Sequence, residues 1–330
     1  MLKKTLDAFL VSLGWNDFFQ TSYDENPEPG GFPGRVISQG KGHYHVQIGA
    51  QAVLEAGITS GLRQTAATAI DLPGVGDWVA MTGEQGTTKA NIHRVLQRKS
   101  VLQRKRAGSS QETQLIVTNV DFAFIVTSLN EDFDLQRLGR YLALCKDSGA
   151  KPIFLLTKTD LCENPEDFAQ QLQKDFGTLD TFNISQKNIA SMEQLHIFFV
   201  PGMTSVLLGS SGVGKSTLTN FLLGREFQKT QDLSGEEKGR HTTTSRNLFV
   251  TRWGGLVIDT PGMQEISMLN STEGTHKKFP DIEELMLRCK FTNCRHGNDP
   301  GCAISASLKK GILLQDRWND FLRLGSKTKN

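Results

Sequence analysis

Val206-Leu207-Leu208-Gly209-Ser210-Ser211-Gly212-Val213-Gly214-Lys215-Ser216-Thr217 is the stretch that decides the architecture of this chain. Its central part, Gly209–Ser216, matches G-x-x-x-x-G-K-[ST] in full, between a short apolar run and a helical run reaching Leu223. In that setting of strand, glycine-rich turn and helix, backbone N–H groups of the turn face inward around a phosphate. The helix that begins there adds its positive N-terminal end. Lys215 is placed to reach β- and γ-phosphate oxygens, and Ser216 to ligate Mg²⁺. The residues assigned to the phosphates are Gly209, Ser210, Ser211, Gly212, Val213, Gly214, Lys215, Ser216 and Thr217.

Working outward, apolar strands alternate with amphipathic segments. Phe122–Thr127 and Ile153–Leu156 read as buried strands, with Leu135, Leu138, Tyr141, Leu142 and Cys145 at helical spacing between them. Leu256–Ile258 is a further strand, so a mostly parallel sheet in an α/β domain is expected. Asp259-Thr260-Pro261-Gly262 follows that strand; Asp259 can hold Mg²⁺ and Gly262 can offer its N–H to a γ-phosphate. Between the two motifs, Gly239-Arg240-His241-Thr242-Thr243-Thr244 suits a switch loop, or simply starts a strand, and spacing does not select one threonine.

Base choice rests on Thr157-Lys158-Thr159-Asp160, directly after a strand. The Asp160 carboxylate can accept from guanine's N1–H and 2-amino group, donors that adenine lacks. The stem of Lys158 can pack along the base. The pattern is near the N-K-x-D of GTPases, with Thr157 for Asn weakening one supporting bond; read alone, it is equally a strand-to-helix turn. The loop Asn183-Ile184-Ser185 is a weak base-side signal, because Gln186 stands where Ala is usual. In ordinary GTPases the base motif comes last. Here it precedes the phosphate loop, which a circularly permuted sheet accommodates, since the termini of compact domains often lie close together.

The remainder bounds the molecule. The chain has 330 residues, 38% hydrophobic and 22% charged, enough for a substantial core. Lys and Arg total 37 against 35 acidic residues, so any nucleic-acid face is local. No apolar run spans a bilayer, and a soluble cytoplasmic protein is expected. Residues 1–32 read as an extension or linker ending in Asn26-Pro27-Glu28-Pro29-Gly30-Gly31. From Gly34 to about Val101, short strands predict a small barrel or sandwich. Lys89 to Gln111 lacks acidic residues and can track RNA phosphates, or form a solvated edge; a basic tail carries Lys309, Lys310, Arg317, Arg323, Lys327 and Lys329. Cys289, Cys294, His296 and Cys302 offer three thiolates and an imidazole, a set suited to one structural Zn²⁺, or else are buried free cysteines beside a surface histidine.

Assembled, these motifs resemble the circularly permuted RsgA-type GTPases that depend on the small ribosomal subunit. The Val75-Gly76-Asp77-Trp78-Val79 and Asn119-Val120-Asp121 segments and the Pro300-Gly301-Cys302 end of the cysteine cluster add to the likeness. The resemblance implies a multidomain fold: an N-terminal β-barrel (OB-fold) that binds RNA over 33–110, a circularly permuted α/β P-loop GTPase domain over 111–275, and a C-terminal zinc-binding, α-rich domain over 276–330. It implies a GTP hydrolase in late maturation of the small ribosomal subunit that binds the subunit and its rRNA in a GTP-dependent way, with turnover stimulated by the subunit and with Mg²⁺ and one Zn²⁺; a monomer without membrane contact is expected. It also favours Thr243 as the Mg²⁺-side switch residue. Met263 stands where many GTPases place a water-orienting Gln, and a thioether cannot orient water, so intrinsic turnover should be slow. His241 is the candidate to complete the catalytic set with Lys215 and Thr243, Gln264 the substitute. The rival readings are a GTPase in another RNA process such as tRNA modification, and a nucleotide-gated RNA-binding scaffold.

Overall fold

The computed structural model describes residues 7–40, 42–83, 87–105, 113–130, 132–224 and 246–259, and beyond them 282, 285, 286, 289, 294, 296, 301–313, 315 and 317–319. The chain forms two compact units, 1–264 and 265–330.

Two short helices open the first unit, α1 (Ala8–Ser12) and α2 (Asp17–Glu25). Asp7 caps α1 by accepting from the Phe9 N–H, and Asn16 caps α2 by accepting from Phe18. The stretch is therefore a packed element rather than a free linker. Leu13, Trp15 and Phe19 supply an apolar face that is buried, with the Trp15 and Phe19 rings 4.8 and 5.8 Å from that of Trp78.

The strands β1 (Phe32–Gln39), β2 (Tyr44–Gly49), β3 (Ala52–Ile58), β4 (Trp78–Gly83) and β5 (Lys89–Val95) follow, with α3 (Ser60–Thr65) after β3. They pair in the order β1-β2-β3-β5-β4, and β4 returns to β1, which closes a five-stranded barrel. Only β3 and β5 run parallel. Closure works because β1 serves two partners: Phe32–Arg35 meets β4, while Arg35–Gln39 meets β2 across a bulge at Val36/Ser38. Val36, Val46, Ala56, Val79, Met81, Ala90 and Ile92 fill the interior. Each large aliphatic buried there is worth about 1.5–3 kcal/mol relative to exposure.

After the hairpin β6 (Val101–Lys105) and β7 (Thr113–Thr118) comes the α/β half. Its elements are β8 (Phe122–Ser128), α4 (Leu135–Ser148), β9 (Lys151–Thr157), α5 (Pro165–Phe176), β10 (Thr181–Asn183), α6 (Ile189–Glu193), β11 (Thr204–Leu208), α7 (Lys215–Leu223), β12 (Asn247–Val250) and β13 (Leu256–Asp259). Strand order is β10-β9-β8-β11-β13-β12, parallel except for β12. The phosphate strand β11 thus sits mid-sheet, with earlier strands on one side and later ones on the other, as the permuted motif order requires. α4 is set by an Asp134 cap and a left-handed Gly149 stop, and buries Leu138, Tyr141, Leu142 and Cys145.

Barrel and sheet meet at one strand pair, Ser38 with Asn247, and around a buried Arg35. Its guanidinium donates to the carbonyls of Leu13, Gly76 (3.4 Å) and Asn119 (3.2 Å) and to Thr204 Oγ1 (2.8 Å). Gly76 has φ +98°, and a Cβ there would lie 2.2 Å from the Thr118 carbonyl oxygen, so no other residue permits this approach. Asp77, fully buried, accepts from the Gly74 N–H and pairs with Arg98 at 2.7 Å.

In the second unit, Ile282, Ile304, Leu313 and Trp318 pack with Cys302, which caps the helix Ala303–Lys309. Among the described residues no helix is long and apolar enough to cross a membrane.

Candidate nucleotide site and cysteine cluster

The C-terminal ends of β8, β9, β11 and β13 line one edge of the parallel sheet, where loops can form a ligand crevice. The loop after β11 turns through Gly209, Gly212 and Gly214, at φ +151°, +77° and +99°. At Gly209 a Cβ would come within 2.3 Å of the Val126 carbonyl oxygen, so the turn leaves the sheet too close to β8 for any side chain. Lys215 opens α7 and its ammonium donates to the Gly209 carbonyl at 2.8 Å and to that of Ser210. Burial pulls this lysine down to about 8, while the charges of Asp259 and Asp132 oppose the shift.

Thr157, at the end of β9, bonds the phosphate loop directly. Its hydroxyl lies 2.6 Å from the Val213 carbonyl and 3.2 Å from that of Thr127. The residue read as a weakened motif position therefore still ties the base side to the phosphate side. Lys158 takes the left-handed conformation, φ +57°, and Thr159 donates to the Ile184 carbonyl at 3.2 Å. Asp160 accepts the Ser185 hydroxyl at 2.6 Å and lies 3.1 Å from Lys187 Nζ. These two partners, Ser185 first, hold its carboxyl below the ordinary range.

A cavity of about 570 Å³ joins the two halves. Thr157, Lys158, Asp160, Ser185 and Lys187 line it from the base side, and Gly212, Gly214 and Thr217 from the phosphate side. Its volume suits a small organic ligand. Lys187 is an addition to the sequence reading, whereas Ser185 belongs to the loop Asn183-Ile184-Ser185 that carried only a weak base-side signal. Asp132, which accepts the Ser210 hydroxyl at 2.6 Å, carried no motif at all. His241, Thr243, Gly262, Met263 and Gln264 lie outside the described residues.

Within the acid-free run, Arg94, Arg98, Lys99 and Arg104 make contacts inside the protein. Arg94 donates to the carbonyls of Ser22, Tyr23 and Asn26, and Arg98 is paired with buried Asp77. Lys99 lies over the Phe19 ring and Arg104 bonds Gln114.

In the C-terminal unit, the ligand atoms of Cys289, Cys294, His296 and Cys302 all lie within 4.8 Å of one another. His296 Nδ1 is 3.5 Å from Cys289 Sγ and 3.9 Å from Cys302 Sγ. Burial lifts the Cys302 thiol, but the Ser305 N–H and His296 outweigh it and bring it down to about 6. At Cys294 the His296 N–H acts downward, yet burial and the neighbouring Cys302 and Cys289 prevail and raise it to about 11. Crowded thiols that cannot all ionise together are what a bound cation relieves, and this soft donor set can hold a metal ion.

Known proteins agree with this geometry. The RsgA GTPase family model matches residues 95–269. A small ribosomal subunit biogenesis GTPase RsgA from Opitutus terrae is 38% identical over 96% of this chain and 88% of its own length. Its counterpart from Methanosarcina acetivorans is 37% identical over 94% and 83%. A crystal structure of YjeQ from Thermotoga maritima, 22% identical, shares the fold with a TM-score of 0.53 over 91% of this chain and 99% of that one. With the permuted sheet, the phosphate loop and these relatives together, the chain belongs to the RsgA family of GTPases.

Proposed function

We propose that this protein hydrolyses GTP in the biogenesis of the small ribosomal subunit, as its relatives are named for doing. One observation carries the reading of the site: Thr157 is bonded to Val213 of the phosphate loop, and Asp160 faces the same cavity as Gly212, Gly214 and Thr217. Two motifs far apart in the chain are one pocket.

In this reading Gly209–Thr217 holds the phosphates, with Lys215 moving from loop carbonyls to phosphate oxygens. Asp160, kept ionised and oriented by Ser185, accepts from guanine's N1–H and 2-amino group, while the stem of Lys158 covers the base. An adenine would leave that carboxylate without donors. Ser216 and Asp259 provide the hydroxyl and carboxylate oxygens that suit Mg²⁺. When bound with GTP, that ion neutralises charge developing on the phosphates. Gly262 and Thr243 complete the γ-phosphate side, and His241 supplies the water-orienting group that Met263 cannot. Cys289, Cys294, His296 and Cys302 hold one structural Zn²⁺. The domain layout proposed is an N-terminal extension (1–32), an OB-type barrel (33–110), the permuted GTPase domain (111–275) and the zinc domain (276–330). The relatives' shared name favours the small subunit and its rRNA as partner over tRNA modification or a non-hydrolysing scaffold.

Turnover of GTP measured alone, with small subunits and with large subunits tests the proposal. Slow basal turnover, accelerated by small subunits only, is expected. Equal rates in all three would remove the ribosome from the account, and absent turnover would remove hydrolysis.

A further inference from the structure

The loop between β8 and α4 carries Asp132, which the mechanism above does not use. Its Oδ2 accepts the Ser210 hydroxyl at 2.6 Å, and its Oδ1 lies 2.9 Å from a guanidinium nitrogen of Arg137 in the first turn of α4. The loop is braced from within: Asn130 Oδ1 accepts from Ser128 Oγ at 2.8 Å and from the Asp132 N–H at 3.1 Å. The carboxylate is thus fixed by its own loop and by a helix, and it grips the second residue of the phosphate loop.

Ser210 matters because of what it adjoins. It is buried, it follows Gly209 with its φ of +151°, and its own carbonyl accepts the Lys215 ammonium. A glycine has no side chain to hold its torsions, so the peptide after it takes its orientation from the contacts of Ser210. A carboxylate beside a polyphosphate site also repels the ligand, and a neutral contact would pack as well without that cost. The charge strengthens the hydroxyl bond, and Arg137 compensates it.

We infer that Asp132 is a positioning residue for GTP and GDP binding, fixing through Ser210 the orientation of the peptide that opens the phosphate loop. The inference rests on the reading of Gly209–Thr217 as the phosphate site. It assigns Asp132 no contact with nucleotide. Its effect falls on affinity rather than on the chemical step.

The test compares full-length wild type, Asp132→Ala, Ser210→Ala, the double variant and Asp132→Asn, by GDP titration, steady-state GTP turnover and thermal unfolding without nucleotide. Losing a charge-assisted hydrogen bond should weaken GDP about tenfold in either single alanine variant. A linked pair should make the double variant about as weak as either single. Asp132→Asn keeps an acceptor and should recover most of the affinity. In Asp132→Ala, KM for GTP should rise in step with the GDP constant while kcat and the thermal midpoint hold. Wild-type affinity in Asp132→Ala, a double variant showing the product of the two losses, or a fall in kcat and thermal midpoint at unchanged KM would each overturn the inference. Wild-type protein that binds no GDP would instead overturn the reading of the site.

Discussion

Lys215 is held by the carbonyls of Gly209 and Ser210, and burial brings it to about 8. Above that pH the unliganded lysine is neutral, whereas a phosphate-bound lysine is charged. Binding must then take up a proton. GDP affinity should therefore be flat below pH 8 and fall above it by up to about tenfold per pH unit. A titration series from pH 6.5 to 9.5 checks this, and a flat profile would place Lys215 away from the phosphates. At this scale the sequence was most readable where function is local in the chain: the phosphate loop folds on itself, so its pattern carries its geometry. It was least readable for Asp132, which is 78 residues from Ser210, and for the pairing of Ser185 with Asp160, 25 residues away. Such pairs are created by the sheet, and no spacing rule announces them.

Among the elements, α2 shows how a helix can be completed from outside. Its last turn has no basic residue, and Arg94 of β5 donates to the carbonyls of Ser22, Tyr23 and Asn26 at 3.0, 3.2 and 2.8 Å. Arg94→Gln should destabilise the protein by about 1–2 kcal/mol and open the first 25 or so residues to protease. Urea unfolding with limited proteolysis reads both effects, and unchanged cleavage would dismiss the capping role. The same bonds show that Arg94, within the acid-free run Lys89–Gln111, is engaged inside the protein, as is Arg98 with Asp77. Composition reports which residues are cationic, while carbonyl ends and buried Asp77 determine where they point. Strand and helix alternation in the second half was legible from apolar runs alone. Closure of the barrel was not, because it depends on β1 pairing along both of its edges.

For the whole first unit, Arg35 is the point at which extension, barrel and sheet are joined. Arg35→Met would leave the carbonyls of Leu13, Gly76 and Asn119 without this donor in a buried setting, so a loss of about 3–5 kcal/mol is expected. Urea unfolding followed by tryptophan fluorescence and by circular dichroism should then give separate transitions for barrel and sheet, where the wild type gives one. A single unshifted transition would show that the junction does not depend on this residue. The permuted order has a consequence for synthesis. As the chain leaves the ribosome that makes it, β8, β9 and β10 emerge and pair before β11 exists. Until residue 208 is made, the edge of Phe122–Ser128 that later receives β11 has no strand partner. The nascent protein must carry that adhesive edge through about 80 residues of elongation, several seconds or more at ordinary rates of translation. Its most vulnerable moment comes before the phosphate half of its nucleotide site has been synthesised.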